Sequence, residues 1–70
     1  VMNEAETEFE LDAIIDAMKR KNSDIAEVFV RCYLHGFEIS EIASNLGIQE
    51  RRVRYLLKQG EEIRDRMMNY

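Results

Sequence analysis

The stretch "ISEIASNLGIQERRVRYLLK", residues 39–58, decides the fold of this chain. It holds two short runs of apolar residues at helical spacing, one on each side of Gly47. Gly47 can adopt the positive φ that a tight turn requires, and Ala43 is small enough for two helices to cross closely. The stretch therefore predicts a helix-turn-helix. The apolar residues expected to clamp its two helices together are Ile42, Leu46, Ile48, Val53 and Leu56.

The second helix of this motif is predicted to have an outward face rich in cations. Such a helix can lie in the major groove of DNA with its N-terminal residues at base edges. Arginine can pair with guanine through two hydrogen bonds, Lys58 can neutralise a phosphate, and Glu50 can accept from a cytosine amine. An ordinary helical hairpin with solvated arginines is the alternative. The outward positions are Glu50, Arg51, Arg52, Arg54, Tyr55 and Lys58.

Hydrophobic periodicity extends this motif to an all-α fold. It predicts helices at about residues 5–21, 24–35, 40–46 and 50–68. We expect one compact four-helix domain over residues 1–70, with a helical arrangement of the winged-helix or LuxR type and no sheet. The second helix, which has the widest apolar stripe, is predicted to be central.

Polar residues and glycines mark the predicted helix ends. A capping-box pattern of Thr7 and Glu10 opens the first helix, and Ser23 and Ser40 are the predicted caps of the second and third helices. Gly36 is expected to end the second helix. Gly60 lies inside the fourth helix, where it costs about 1 kcal/mol relative to alanine, so a closely packed neighbour is expected there.

Composition narrows the function classes. The single Cys32 cannot form an internal disulfide, which fits a reducing cytoplasmic setting, and no apolar run is long enough to span a membrane. With His35 as the only histidine and no catalytic set, we expect no metal site, no cofactor and no enzymatic activity. Because the chain begins with Val1 rather than Met, we expect a C-terminal piece of a longer protein, with an artificially added first residue as the alternative.

The negative charge is unevenly distributed. The chain has a formal net charge of −4, and residues 1–35 carry eight acidic and four basic side chains. Residues 36–70 carry six of each, while residues 49–58 carry four bases and one acid, a local net charge of +3. The acidic total therefore hides a basic patch on the predicted DNA-reading helix.

From Leu11 to Met67 the chain resembles the fourth conserved region of bacterial RNA polymerase sigma factors. The segment "VFVRCYLHGFEISEIASNLGIQERRVRYLL" carries the resemblance. The family pattern combines an apolar helix that ends in glycine, a polar turn, Glu-Ile-Ala, Leu-Gly-Ile and a later valine. The matching residues here are Gly36, Ser40, Glu41-Ile42-Ala43, Leu46-Gly47-Ile48 and Val53.

The resemblance implies a four-helix domain whose last helix reads the upstream (−35) element of promoter DNA. It also implies docking to the flap of the RNA polymerase β subunit and, in some members, capture by an anti-sigma protein, with no membrane partner. Carried over to this sequence, the reading positions are Gln49, Arg51, Arg52, Arg54, Tyr55 and Lys58.

The sequence departs from the family pattern in three places. Asn22-Ser23 replaces a usual proline, Gln49 replaces a usual Ser or Thr cap, and Glu61-Glu62 follow Gly60 where the family is often basic. The negative charges of Glu61 and Glu62 would repel phosphates, which argues against phosphate contacts beyond Lys58. A diverged sigma-like domain that acts through protein contacts, a LuxR-type domain and another helix-turn-helix regulator therefore stay open as alternatives.

Overall fold

The computed structural model describes the backbone of residues 2–68 and the side chains of residues 11–68. Within this range there is no strand, and the predicted all-α fold with four helices is confirmed. The helices are α1 (Met2–Lys21), α2 (Ser23–Tyr33), α3 (Ile39–Leu46) and α4 (Glu50–Met68).

All four helices contribute to one apolar core. α2 and α4 each pack against the other three helices, so the predicted central position of α2 is shared with α4. The helix-turn-helix is thereby held on a scaffold formed by α1 and α2. The buried apolar side chains in the described part of the chain are Ile14 and Met18 of α1, Ile25, Ala26, Val28 and Phe29 of α2, Ile42 and Ala43 of α3, and Val53, Leu56 and Ile63 of α4.

Asn22 caps α2, not Ser23 as the sequence predicted. Its backbone is extended (φ −167°, ψ 123°), and its Oδ1 accepts a hydrogen bond from the backbone N–H of Asp24 at 2.9 Å. Ser23 is the first helical residue. Asparagine and serine are comparably good caps, so local preference could not choose between two neighbours.

The caps predicted for α1 and α3 are also wrong. α1 begins at Met2, which places Thr7 inside the helix. α3 begins at Ile39 after the extended Glu38, so Ser40 is helical too. Glu41 Oε1 accepts a hydrogen bond from the backbone N–H of Glu38 at 3.0 Å, which satisfies a group that the helix itself leaves free.

The glycine inside α4 allows a close helix contact, as expected. Gly60 is buried against α2. A Cβ atom at this position would lie 3.1 Å from Cδ2 of Phe29 and 3.4 Å from Cγ2 of Ile25. The crossing of α2 and α4 therefore depends on the missing side chain.

Candidate nucleic-acid interface

Three residues connect α3 to α4, and the first of them is Gly47. It has a φ of 67° in the left-handed region, and its N–H donates to the carbonyl oxygen of Ala43. The N–H of Ile48 donates to the same carbonyl at 3.0 Å. This double hydrogen bond ends α3 and turns the chain sharply, as a helix-turn-helix requires.

The interior of the turn is apolar. Ile42 and Val53 are fully buried, and Ala43 is 6% exposed. Leu46 and Ile48 are partly buried against the same core. Gln49 precedes α4, and its carbonyl oxygen accepts from the N–H groups of Arg52 and Val53 at 3.0 and 3.2 Å. The small residue, the glycine and the apolar residues around the turn therefore occupy the places that the sequence predicted.

The polar residues predicted to read DNA all lie on the surface. Tyr55 is the one aromatic residue among them, and it is 53% exposed. Gln49 lies just before α4, and the others lie on the exposed part of the α4 surface, between and around its buried residues Val53 and Leu56. We call this surface the α4 outer face, and it consists of Gln49, Glu50, Arg51, Arg52, Arg54, Tyr55 and Lys58.

Internal contacts organise the cations of the α4 outer face. Arg54 Nη2 lies 3.3 Å from Glu50 Oε1, one turn earlier on the helix. The guanidinium of Arg52 lies 5.4 Å from the ring centroid of Tyr55. Among the described side chains, Arg51 and Lys58 make no ion pair. The surface therefore keeps an excess of positive charge, although Glu50 is part of it.

Glu61, which the sequence suggested would oppose phosphate, faces α2 instead. Its carboxylate accepts a hydrogen bond from the hydroxyl of Tyr33, and the guanidinium of Arg64 lies 5.5 Å from the centroid of that ring. The hydrogen bond to Glu61, followed by partial burial, raises the pKa of Tyr33 above its ordinary value. Glu61 thus lies toward the α2 side of α4, where the neutral hydroxyl of Tyr33 orients its carboxylate without neutralising it.

The structure also brings together a groove that the sequence did not predict. It lies between α1 and α2, has a volume of about 650 Å³ and receives no residue from α4. Its apolar floor is formed by Ile15, Ala26, Val30 and Phe37, and its polar rim by Lys19, Ser23, Glu27, Arg31 and His35. The unusual width of the α2 apolar stripe was the one signal in the sequence that could have indicated it.

The described residues offer no metal site and no membrane span. Between residues 11 and 68, no three His, Cys, Asp or Glu side chains are grouped closely enough to hold a metal ion. Cys32 is a free thiol that is partly buried against the core, and His35 is exposed at the end of α2. None of the helices in the described part of the chain has the length and apolarity needed to cross a bilayer.

Comparison with protein-family models finds a match that covers most of the chain. The model described as Sigma-70, region 4 matches residues 9–62, which are 54 of the 70 residues of the chain. Comparisons with curated proteins and with solved structures find no significant match. The matched segment includes α3, the turn, residues 50–62 of α4 and the α4 outer face.

Proposed function

We propose that this chain, which belongs to the sigma-70 region 4 family, reads the upstream (−35) element of promoters with α4 while it is attached to RNA polymerase. Family membership supports a sigma-like DNA-binding domain. The observation that carries the finer proposal is the α4 outer face, which presents exposed cations and a tyrosine directly after a helix-turn-helix.

The reading positions follow from the placement of the side chains along α4. Gln49, Glu50 and Arg51 lie at the N-terminal end, the part of a recognition helix that approaches base edges. Arg51 is exposed and makes no ion pair among the described residues, so its guanidinium is available for a guanine. Lys58, two turns later, is placed for a phosphate.

Glu50 and Arg54 form a second reading element in this proposal. Their ion pair at 3.3 Å orients the Arg54 guanidinium along the helix before DNA arrives. Both side chains are more than half exposed, so the pair adds little stability. In the major groove Arg54 can donate to guanine while Glu50 accepts from a neighbouring cytosine amine.

The groove between α1 and α2 is the surface we assign to RNA polymerase. Its apolar floor suits a helix or loop of the β-subunit flap. Because α4 contributes nothing to the groove, a protein bound there leaves the α4 outer face free for DNA. The domain can therefore contact RNA polymerase and DNA at the same time.

Enrichment of sequences from a randomised duplex pool tests the reading positions. Polymerase that carries the full parent chain should enrich one sequence, and Arg51→Ala or Arg54→Ala should weaken its binding by about 1–3 kcal/mol while relaxing the choice of one base. Lys58→Ala should weaken all sequences equally, as expected for a phosphate contact. If the Arg51 and Arg54 variants enrich the wild-type sequence with unchanged affinity, the proposed reading positions are wrong.

Co-precipitation with core polymerase tests the groove. Val30→Asp places a carboxylate on the apolar floor and should reduce polymerase binding at least tenfold, about 1.4 kcal/mol. Leu34→Asp, an exposed apolar residue of the same segment outside the groove, is the matched control. Circular dichroism verifies that both variants fold. Equal retention of the two variants would rule out the groove as the docking surface.

A further inference from the structure

The basic end of α1 is divided between two surfaces. Lys19 lines the groove between α1 and α2, whereas the Lys21 ammonium donates a hydrogen bond to Oε1 of Gln59 on α4 at 2.9 Å. From the sequence, these cations had no role beyond their favourable position at a helix C-terminus. The tertiary contact places one of them beside the DNA-reading helix.

Gln59 connects Lys21 to the α4 outer face. Residues 52, 55 and 59 are spaced by three and four positions and therefore share one side of the helix. The guanidinium of Arg52 lies over the ring of Tyr55, and Gln59 follows one turn later. Arg52, Tyr55 and Gln59 therefore form a row of side chains along α4. Lys21 of α1 adds an ammonium group to the end of this row.

The length and charge of this row fit a DNA backbone. Residues 52 and 59 are separated by about 10 Å along a helix axis. One strand of B-DNA presents a phosphate every ~3.4 Å of its axis. Lys21 is exposed and makes no ion pair among the described side chains, whereas Arg31 and Arg64 are paired with acids.

The contact with Gln59 leaves Lys21 able to bind a ligand. An ammonium group has three donors, and Gln59 accepts one of them, so two remain for an anionic oxygen. The amide carbonyl is neutral, so it orients the ammonium without neutralising it. Gln59 is therefore a positioning residue for Lys21.

We propose that Lys21, oriented by Gln59, is a phosphate-binding residue of the DNA interface and extends that interface from α4 to the end of α1. The inference rests on the proposed DNA-binding function of α4. Its ligand is the backbone of duplex DNA, without regard to base sequence. An acidic protein surface is disfavoured because the row is continuous with the DNA-reading face.

The salt dependence of binding to a short random-sequence duplex tests the inference. Fluorescence anisotropy of the whole chain should show a slope of log K against log salt that is shallower by about 0.9 in Lys21→Gln. Between about 50 and 200 mM salt, the wild type should therefore lose roughly threefold more affinity than this variant. Gln59→Leu, which keeps the Lys21 charge, should give a smaller change of the same sign.

Arg64→Gln is the matched control, since it removes one positive charge from a position already paired with Asp65. It should keep the wild-type slope. If the wild type binds with a steep slope and Lys21→Gln retains that slope, the Lys21 inference is wrong while the proposed function of α4 stands. If the wild type shows no salt-dependent binding of duplex DNA at low salt, the Lys21 inference fails, whereas the proposed function is decided by the selection with polymerase that carries the parent chain.

Discussion

A single glycine sets the distance between the two central helices. Gly60 is buried, and the atoms closest to its missing side chain belong to Phe29 and Ile25 of α2. Helix propensity favours alanine over glycine by about 1 kcal/mol. The close approach of α2 explains why glycine is nevertheless suited to this position, because even a Cβ atom would require the Phe29 ring to shift by a few tenths of an ångström.

Enlarging Gly60 should therefore destabilise the fold. We expect Gly60→Leu to lower the free energy of unfolding by about 1–3 kcal/mol, because it overpacks the crossing of α2 and α4. Lys58→Leu introduces the same side chain at an exposed position of α4 and should change stability by less than about 0.5 kcal/mol. Urea denaturation followed by circular dichroism measures both. A smaller loss for Gly60→Leu than for Lys58→Leu would contradict the close contact.

At the level of elements, the starts of α2 and α3 are marked by a change in backbone conformation. α2 and α3 both follow residues with extended backbone, Asn22 and Glu38. Only Asn22 belongs to the residue types that sequence rules favour as caps. The start of α3 uses the Glu41 side chain instead. Such reciprocal contacts depend on how the preceding loop approaches the helix, which explains why serine was the wrong choice at both ends.

The two neighbouring cap candidates of α2 can be separated by substitution. Asn22→Ala removes the acceptor for the Asp24 N–H and should destabilise the protein by about 1 kcal/mol. Ser23→Ala alters the first helical residue and should have almost no effect. Thermal unfolding of both variants distinguishes the two candidates. A larger loss of stability in Ser23→Ala than in Asn22→Ala would show that Ser23 is the cap.

At the scale of the whole molecule, folding determines where the charged side chains lie relative to the α4 outer face. The chain is acidic in total, with a formal net charge of −4. The crossing of α2 and α4 directs Glu61 toward Tyr33, while Glu27 pairs with Arg31 at 2.8 Å within α2. Arg51 makes no ion pair among the described side chains and stays exposed. An acidic chain thereby acquires a surface suited to a polyanion, which the charge total alone would argue against.

The contact between Tyr33 and Glu61 should make stability depend on pH in the alkaline range. The folded state raises the pKa of Tyr33, so it holds the phenol proton more tightly than the unfolded state does. The resulting stabilisation is fully present below the unfolded pKa of about 10 and is lost as the pH rises through the higher folded value. The free energy of unfolding should therefore fall with pH above about 10 more steeply in the wild type than in Tyr33→Phe.

Denaturant titrations across this pH range measure the difference. Tyr55→Phe removes an exposed phenol that contacts Arg52 rather than α2, and it is the matched control. We expect it to follow the wild-type pH dependence. If Tyr33→Phe and the wild type lose stability in parallel, the hydrogen bond to Glu61 does not contribute to folding in solution.

Local pattern in the sequence was sufficient for the helices, the helix-turn-helix and the exposed α4 outer face. These features depend on periodicity and on Gly47, since side chains three and four residues apart share a face whatever surrounds them. The caps at Asn22 and Glu38, the orientation of Glu61 toward Tyr33, the groove between α1 and α2 and the contact of Lys21 with Gln59 were decided only by tertiary structure. Most of these features join residues that are distant in the chain, and such pairs leave no periodic signal because their meeting depends on how whole helices cross.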